Sequence, residues 1–219
     1  MRYTVTIVLL VLTLSCGQRQ QVKDAPEAIL AQMRADTAWI HQMDSMAQIA
    51  IGPGAKCQDP VSHSFAYDGR VWLFNQDWGG VLEIPEDYII EDDLWQAELS
   101  FHGTRVWSPD SLILISFYAG FQALEDDEFE ESTRLGLEED GFAVQSWDEK
   151  EKAITIWARS AEGINYYGRH RLANENGVEY SVSVQWPDGK TDEARKVIDM
   201  ADRFPVGLNG NLYSGEALQ

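Results

Sequence analysis

Strands that follow strands constrain this chain most. RVWLFN, GGVLEIPEDY, AELSFHGTRVWSP and LILISFYAG succeed one another between residues 70 and 120, rich in β-branched and aromatic residues, with no helical period between them. Such runs, broken by glycine and aspartate as in QDWGG, are the pattern of short strands joined by turns. LILISFYAG is nearly all apolar, as expected of a strand covered on both faces. VWLFN and ITIWARS alternate, which directs about half of each strand inward. Further on, AVQSWDEKEKAITIWARS reads as two strands about a charged turn. INYYGRHRLANENGVEYSVSVQWP reads as a second pair, closed at Asn176-Gly177, a dipeptide that accepts the positive φ angles of a hairpin turn. Consecutive hairpins make an antiparallel sheet, so the expected class is α+β, with a sheet flanked by helices rather than a parallel βαβ fold.

Helices are expected at both ends. Ile29, Met33, Ile40, Met43 and Ala47 fall along one face of an amphipathic helix over residues 24–50, with Asp24 as cap and Pro26 in its first turn. Asp36 and Thr37 interrupt the stripe where an apolar residue should stand. The helix is expected to stop before IGPGAK and to pack on its own domain. At the other end DEARKVIDMADRF follows Thr191 as cap, and Ala194, Val197, Ile198 and Ala201 share a face. Between the two sets of strands, LEDDEFEESTRLGLEEDGFAV reads as an exposed helix and loop. The expected order is helix, four strands, acidic segment, four strands, helix. It gives an α+β domain over residues 57–208 and a tail over 209–219.

The N-terminus carries an address. Residues 4–14 are apolar but about half as long as the ~20 residues that cross hydrocarbon as a helix. Arg2 precedes the run and Ser15 ends it, the layout of a removable signal over residues 1–15. Cys16 and Gly17 follow, and LTLSC resembles the lipobox of bacterial lipoproteins, with Thr13 where the commonest form has Leu. That resemblance implies that the Cys16 thiol takes a diacylglycerol and becomes the first mature residue. Residues 16–23 would then be a tether, and the protein would be held in the bacterial cell envelope by its lipid. Cys57 is the other cysteine, so no disulfide framework can form, and a lone Cys reads best as a small buried hydrophobe.

Charge narrows the partners. Against 17 basic side chains stand 36 acidic ones, a net charge of −19. This repels nucleic acid, whose binding needs neutralised phosphates. It favours a basic protein partner or cations. Glu125, Asp126, Asp127 and Glu128 head the acidic segment and are candidate docking residues, while EDYIIEDD contributes Glu86, Asp87, Glu91, Asp92 and Asp93. Calcium is the cation such oxygens would suit, but the spacing departs from the twelve-residue loop with its central Gly, so a solvated face is the better reading. Trp78, set in the QDWGG turn, is a candidate aromatic anchor, whereas most other tryptophans should fill the core. For catalysis, His63 has Ser62, Ser64 and Asp68 near it in sequence, but neighbours on a strand point to opposite faces, and a surface histidine is the simpler account. His41, His63, His102 and His170 stand singly, without zinc spacing. No metal ligand, cofactor motif or catalytic set is assigned.

VLEIPEDYI, with Ile84, Pro85 and Tyr88, the strand pair ending SVSVQWP, and a closing helix on MADRF together resemble the PsbP/Mog-type fold over roughly residues 65–206. The resemblance implies a central antiparallel sheet between helices and a role in binding proteins or ions rather than in catalysis. None of the family's metal-binding positions carries over. The expected function is therefore a lipid-anchored, non-enzymatic binding module. The alternative is an envelope hydrolase or divalent-cation-dependent enzyme whose site is assembled from remote residues.

Overall fold

The computed structural model describes residues 27–74, 81–96, 101–121, 126–150, 153–171 and 178–201. The signal, Cys16, the tether, Asp24, Pro26, the QDWGG turn with Trp78, Glu125, the Asn176-Gly177 turn and the tail lie outside these residues.

The helical N-terminus is divided. α1 (Glu27–Ala35) and α2 (Thr37–Ala50) meet at Asp36, whose carboxylate accepts from the Ala38 and Trp39 N–H groups at 3.0 and 3.1 Å. The single helix expected over residues 24–50 is thereby corrected. The interruption at Asp36 and Thr37 is a new helix start, because an aspartate satisfies orphan N–H groups better at a cap than inside a helix.

Among the described residues seven strands precede the acidic helix, not four: β1 (Lys56–Asp59), β2 (Ser64–Tyr67), β3 (Arg70–Phe74), β4 (Val81–Ile84), β5 (Ile89–Gln96), β6 (Phe101–Trp107) and β7 (Leu114–Phe121). β1, β2 and β5 are the strands not expected from the sequence. Strands of four residues offer little periodicity, and the acids of EDYIIEDD, expected as a solvated face, mask the apolar residues of β5. Asp68 and Gly69, with φ of 53° and 69°, make the tight turn between β2 and β3. That Asp-Gly pair was a legible hairpin signal.

Next come α3 (Asp126–Glu139), β8 (Phe142–Lys150), β9 (Ala153–Ser160), β10 (Ile164–Arg171), β11 (Val178–Pro187), a short 3-10 turn at Asp188–Lys190, and α4 (Thr191–Ala201). Thr191 is the first residue of α4, its hydroxyl donating to the Asp188 carbonyl. The four residues Ala194, Val197, Ile198 and Ala201 are buried as expected.

The strands form two sheets, not one: a four-stranded meander, β1-β2-β3-β4, and a seven-stranded sheet in the order β5-β6-β7-β11-β10-β9-β8. Every described pairing is antiparallel. The architecture is thus a mixed α+β arrangement of sheets and helices.

Three apolar clusters hold it together. Val71 and Leu73 of β3 and Leu82 and Ile84 of β4 meet Val106, Ile115, Phe117, Tyr167, Val182 and Val184 of the large sheet, closed off by the buried face of α4. On the other side of the same two strands, Trp72, Phe74 and Val81 pack with Phe65 against Met43, Ala47 and Ile51 of the α2 region. β3 and β4 of the small sheet are therefore buried on both faces, and α2 packs on its own domain. The third cluster lies on the outer face of the large sheet, where Leu137 and Phe129 of α3 cover Phe142, Ile154, Ile156, Ala158 and Tyr166. Expected as an exposed helix and loop, this segment instead buries one apolar stripe.

Polar contacts fix the layers. Asp44 of α2 accepts from the Cys57 N–H at 2.7 Å and from Lys56 Nζ at 3.1 Å, which ties α2 to β1. Arg134 of α3 bonds Glu130 at 2.7 Å and sits 4.8 Å from the centre of the Trp147 ring on β8. A cation over an indole face adds to that contact.

Gly168 leaves room for the Tyr166 ring, which lies across it with its hydroxyl bonded to Ser183; a Cβ at Gly168 would stand 2.8 Å from the ring. Gly168→Ala is therefore expected to lower stability by about 1–3 kcal/mol through overpacking. Gly136→Ala on α3, where a Cβ meets open space, is expected to raise it by about 0.5–1 kcal/mol through helix propensity. Urea unfolding of the two variants beside the wild type checks both signs.

Candidate functional site

The outer face of the large sheet divides into two halves. α3 lies over β8 and its neighbours; on the β5, β6 and β7 half of that face Gly103, Ser116 and Gly120 are buried, while one end is bare, with Ile89 exposed and Trp107 and Leu114 half-buried.

α3 is amphipathic in an unusual way. Phe129 and Leu137 face the sheet, while Glu128, Glu131, Glu138 and Glu139 are exposed. Glu131, Glu138 and Glu139 stand four, three and four residues from Leu135, which puts all three beside it on one stripe. Leu135 is 52% exposed, and a shallow open depression is lined by Glu130, Glu131, Arg134, Leu135 and Glu138. Acids in the first turn complement the positive end of the helix dipole. Glu138 and Glu139 do the opposite: the last turn has no base, and negative charge there opposes the dipole. Folding gains nothing from those two carboxylates.

Of the residues singled out from sequence, Asp126 and Asp127 occupy the first two positions of α3, and Glu128 is exposed in the same turn. Cys16, Trp78 and Glu125 lie outside the described residues. His63 and Asp68 sit in separate turns at opposite ends of β2, with φ of 52° and 53°, so no Ser-His-Asp set is assembled from them. Cys57 is half-buried among the residues beneath α2, and its thiol is pushed up to about 11, first by burial and then by Asp44 and Asp59. A thiolate is disfavoured there, in keeping with a packing role. Among the described residues, no group of three or more His, Cys, Asp or Glu side chains is placed to hold a metal ion. No helix among them is long and apolar enough to cross a membrane.

Two titratable groups emerged only from the fold. His170 on β10 lies opposite Ser181 on β11, and Glu179 is two residues further along β11 on the same face. The Phe129 ring of α3 meets the His170 ring edge-on at 5.4 Å. Although His170 is half-buried as a residue, its Nε2 is closed to solvent, and neither that atom nor Glu179 Oε2 has a hydrogen-bond partner. Burial lowers His170 to about 4 and raises Glu179 to about 7, so each group is driven toward its neutral form. The β10–β11 hairpin expected from the sequence brings their segments together; the register and the cover of Phe129 that bury them come from the fold.

No family model matches the chain, and no curated protein matches it by sequence. Among solved structures it is similar to the solution structure of cyanobacterial PsbP (CyanoP) from Synechocystis sp. PCC 6803, with 8% identity, a TM-score of 0.45, and coverage of 60% of this chain and 88% of that one. No residue role is carried over from that protein.

The buried pair makes a pH prediction of two opposite signs. Glu179 is raised from 4.5 to about 7, so the native state holds its proton more tightly and its contribution to stability falls as pH rises across that window. His170 is lowered from 6.5 to about 4, so its contribution rises between those values. Relative to wild type, Glu179→Gln is expected to gain stability between pH 4.5 and 7. His170→Leu is expected to show its greatest relative stability at the acid end. Urea midpoints measured across the range check both, and parallel profiles for all three proteins would contradict the assignment.

Proposed function

We propose that this protein is a lipid-anchored component of the bacterial envelope that binds a basic protein partner through an acidic surface and performs no catalysis. Attachment is attributed to the acylated Cys16, and the docking surface to the exposed stripe of α3, continued toward its N-terminus by Glu125, Asp126, Asp127 and Glu128, with Trp78 as a further contact. The observation that carries the reading is the placement of Glu138 and Glu139 around the exposed Leu135, against the dipole of their own helix. Charges that cost the fold something and face solvent are available to a ligand. A depression that is shallow and open suits a partner's surface better than an enclosed small molecule.

A basic protein would be drawn to a chain of net charge −19 and steered by its field. Binding of that kind weakens as salt shortens the Debye length from about 8 Å at physiological ionic strength to about 3 Å at 1 M.

Two measurements test this reading. Cells fed a fatty-acid probe are expected to label the wild type but not Cys16→Ala, and the variant should leave the membrane fraction. A partner captured from envelope extracts by the immobilised wild type is expected to elute at about 1 M salt. It should not be captured by Glu131→Lys/Glu138→Lys/Glu139→Lys. Capture indifferent to both salt and charge reversal would exclude the acidic docking surface.

A further inference from the structure

We propose that the bare end of the large sheet's outer face is a second docking surface, built around Trp107, for a partner segment with an apolar face and basic flanks. It is distinct from the α3 stripe and shares with that reading only the positive charge of the partner.

The surface follows from register. Ile89 of β5 is paired with Trp107 of β6, and Trp107 with Leu114 of β7, so the three side chains form one row across adjacent strands. Directly opposed residues of antiparallel strands project from the same face, with Cβ atoms about 4.5–5.5 Å apart. The intervening residues Ile90, Val106 and Ile115 pack into the main core, so the row points the other way. Leu112 extends it. Ile113 is fully buried, and its neighbour Leu112 is turned outward and 48% exposed; Ile89 is 55% exposed, and Trp107 and Leu114 are half-buried. Isolated exposed apolar residues are ordinary, but a contiguous patch holding a tryptophan is the composition of an interface centre.

The patch is rigid. Trp107 Nε1 donates to Glu91 Oε2 at 3.0 Å, which fixes the indole. The Leu112 N–H donates to Ser108 Oγ at 3.1 Å and to Asp110 Oδ1 at 3.2 Å, and the buried Ser108 also accepts from the Ile113 N–H at 2.9 Å. A partner meeting these side chains has little ordering left to oppose it.

Charge selects the occupant. Exposed Glu86 and Asp87 precede Ile89, exposed Glu91 follows it, and exposed Asp110 stands in the turn before Leu112. On the basic side are Arg105, opposite Glu91 in register, and Lys190, which bonds Asp110 and Glu193. The rim is therefore acidic around an apolar centre. A second copy of this chain would bring Glu86, Asp87 and Glu91 against their own kind, which like charges oppose. A basic, apolar-faced segment meets both features.

The test uses the full-length protein carrying nitrogen-15 in its tryptophan indoles and leucine amides, titrated with a synthetic peptide of alternating leucine and lysine. The Trp107 indole and the Leu112 and Leu114 amide signals are expected to shift. Trp107→Ala and Leu112→Ser are each expected to weaken the peptide by about tenfold or more. Leu112 lies in an exposed turn, so that variant still decides the matter where Trp107→Ala fails to fold. Glu131→Lys/Glu138→Lys on α3 should leave the Trp107 shift in place. If those α3 changes abolish binding while Trp107 never moves, the α3 reading stands and this one falls. Equal binding of a serine-lysine peptide, or of a leucine-glutamate peptide, would overturn the apolar or the basic half of the proposal respectively. A free protein that sediments as a dimer and is dissociated by Trp107→Ala would make the row a self-interface. That result overturns the proposal.

Discussion

The structure depends on burying β3 and β4 of the small sheet on both faces. Val71, Trp72, Leu73 and Phe74 are all buried in succession, Val71 and Leu73 toward the large sheet and α4, Trp72 and Phe74 toward α2. A strand with one wet face would have alternated apolar and polar residues; this one has no outward side. Without α2 the indole of Trp72 and the ring of Phe74 would face water, and each buried aromatic of that size contributes about 1.5–3 kcal/mol. The Asp44 contacts to Lys56 and the Cys57 N–H hold α2 where that burial requires it. Asp36 matters for the same reason, since it begins α2 at the point from which Met43 and Ala47 reach the sheet.

Coverage of the large sheet is unequal, and the inequality gives the molecule its surfaces. Its inner face is shared by the small sheet and α4. On its outer face α3 covers the half toward β8, and the other half exposes Ile89 at one end. A row of apolar side chains and a wet acidic helix back thus lie on the same side of one sheet, next to each other. The boundary between the halves holds His170 and Glu179, which burial keeps near neutrality. Ionised, either would need a partner, and neither Nε2 nor Oε2 has one.

Much of the local structure was legible in the sequence. The β8–β9 and β10–β11 pairs, the closing helix with its buried face, and β3, β4, β6 and β7 follow from period and turn chemistry, which act over a few residues. The errors have physical causes. One helix became two because Asp36, read as a gap in a stripe, is a better cap than a helix interior residue. β1 is short and polar and β2 is only four residues long, so neither shows a period; β2 exists on the ladder that β3 offers, and β1 on that of β2. β5 was obscured by its acids, which a strand tolerates when one face is wet. α3 was read as exposed because acids dominate its composition, while Phe129 and Leu137 suffice to dock it.

The sites divide along the same line. Net charge, the cysteine count and the signal-like run with Cys16 belong to the linear chain, because they are sums and spacings that need no partner. So does the acidity of α3. Which carboxylates stand beside Leu135, that Ile89, Trp107 and Leu114 form one row, and that His170 and Glu179 share a buried corner were decided by tertiary structure. Strand register brings together residues far apart in sequence, and it is set by how the two sheets bury their faces against each other, a condition that no local stretch of sequence contains.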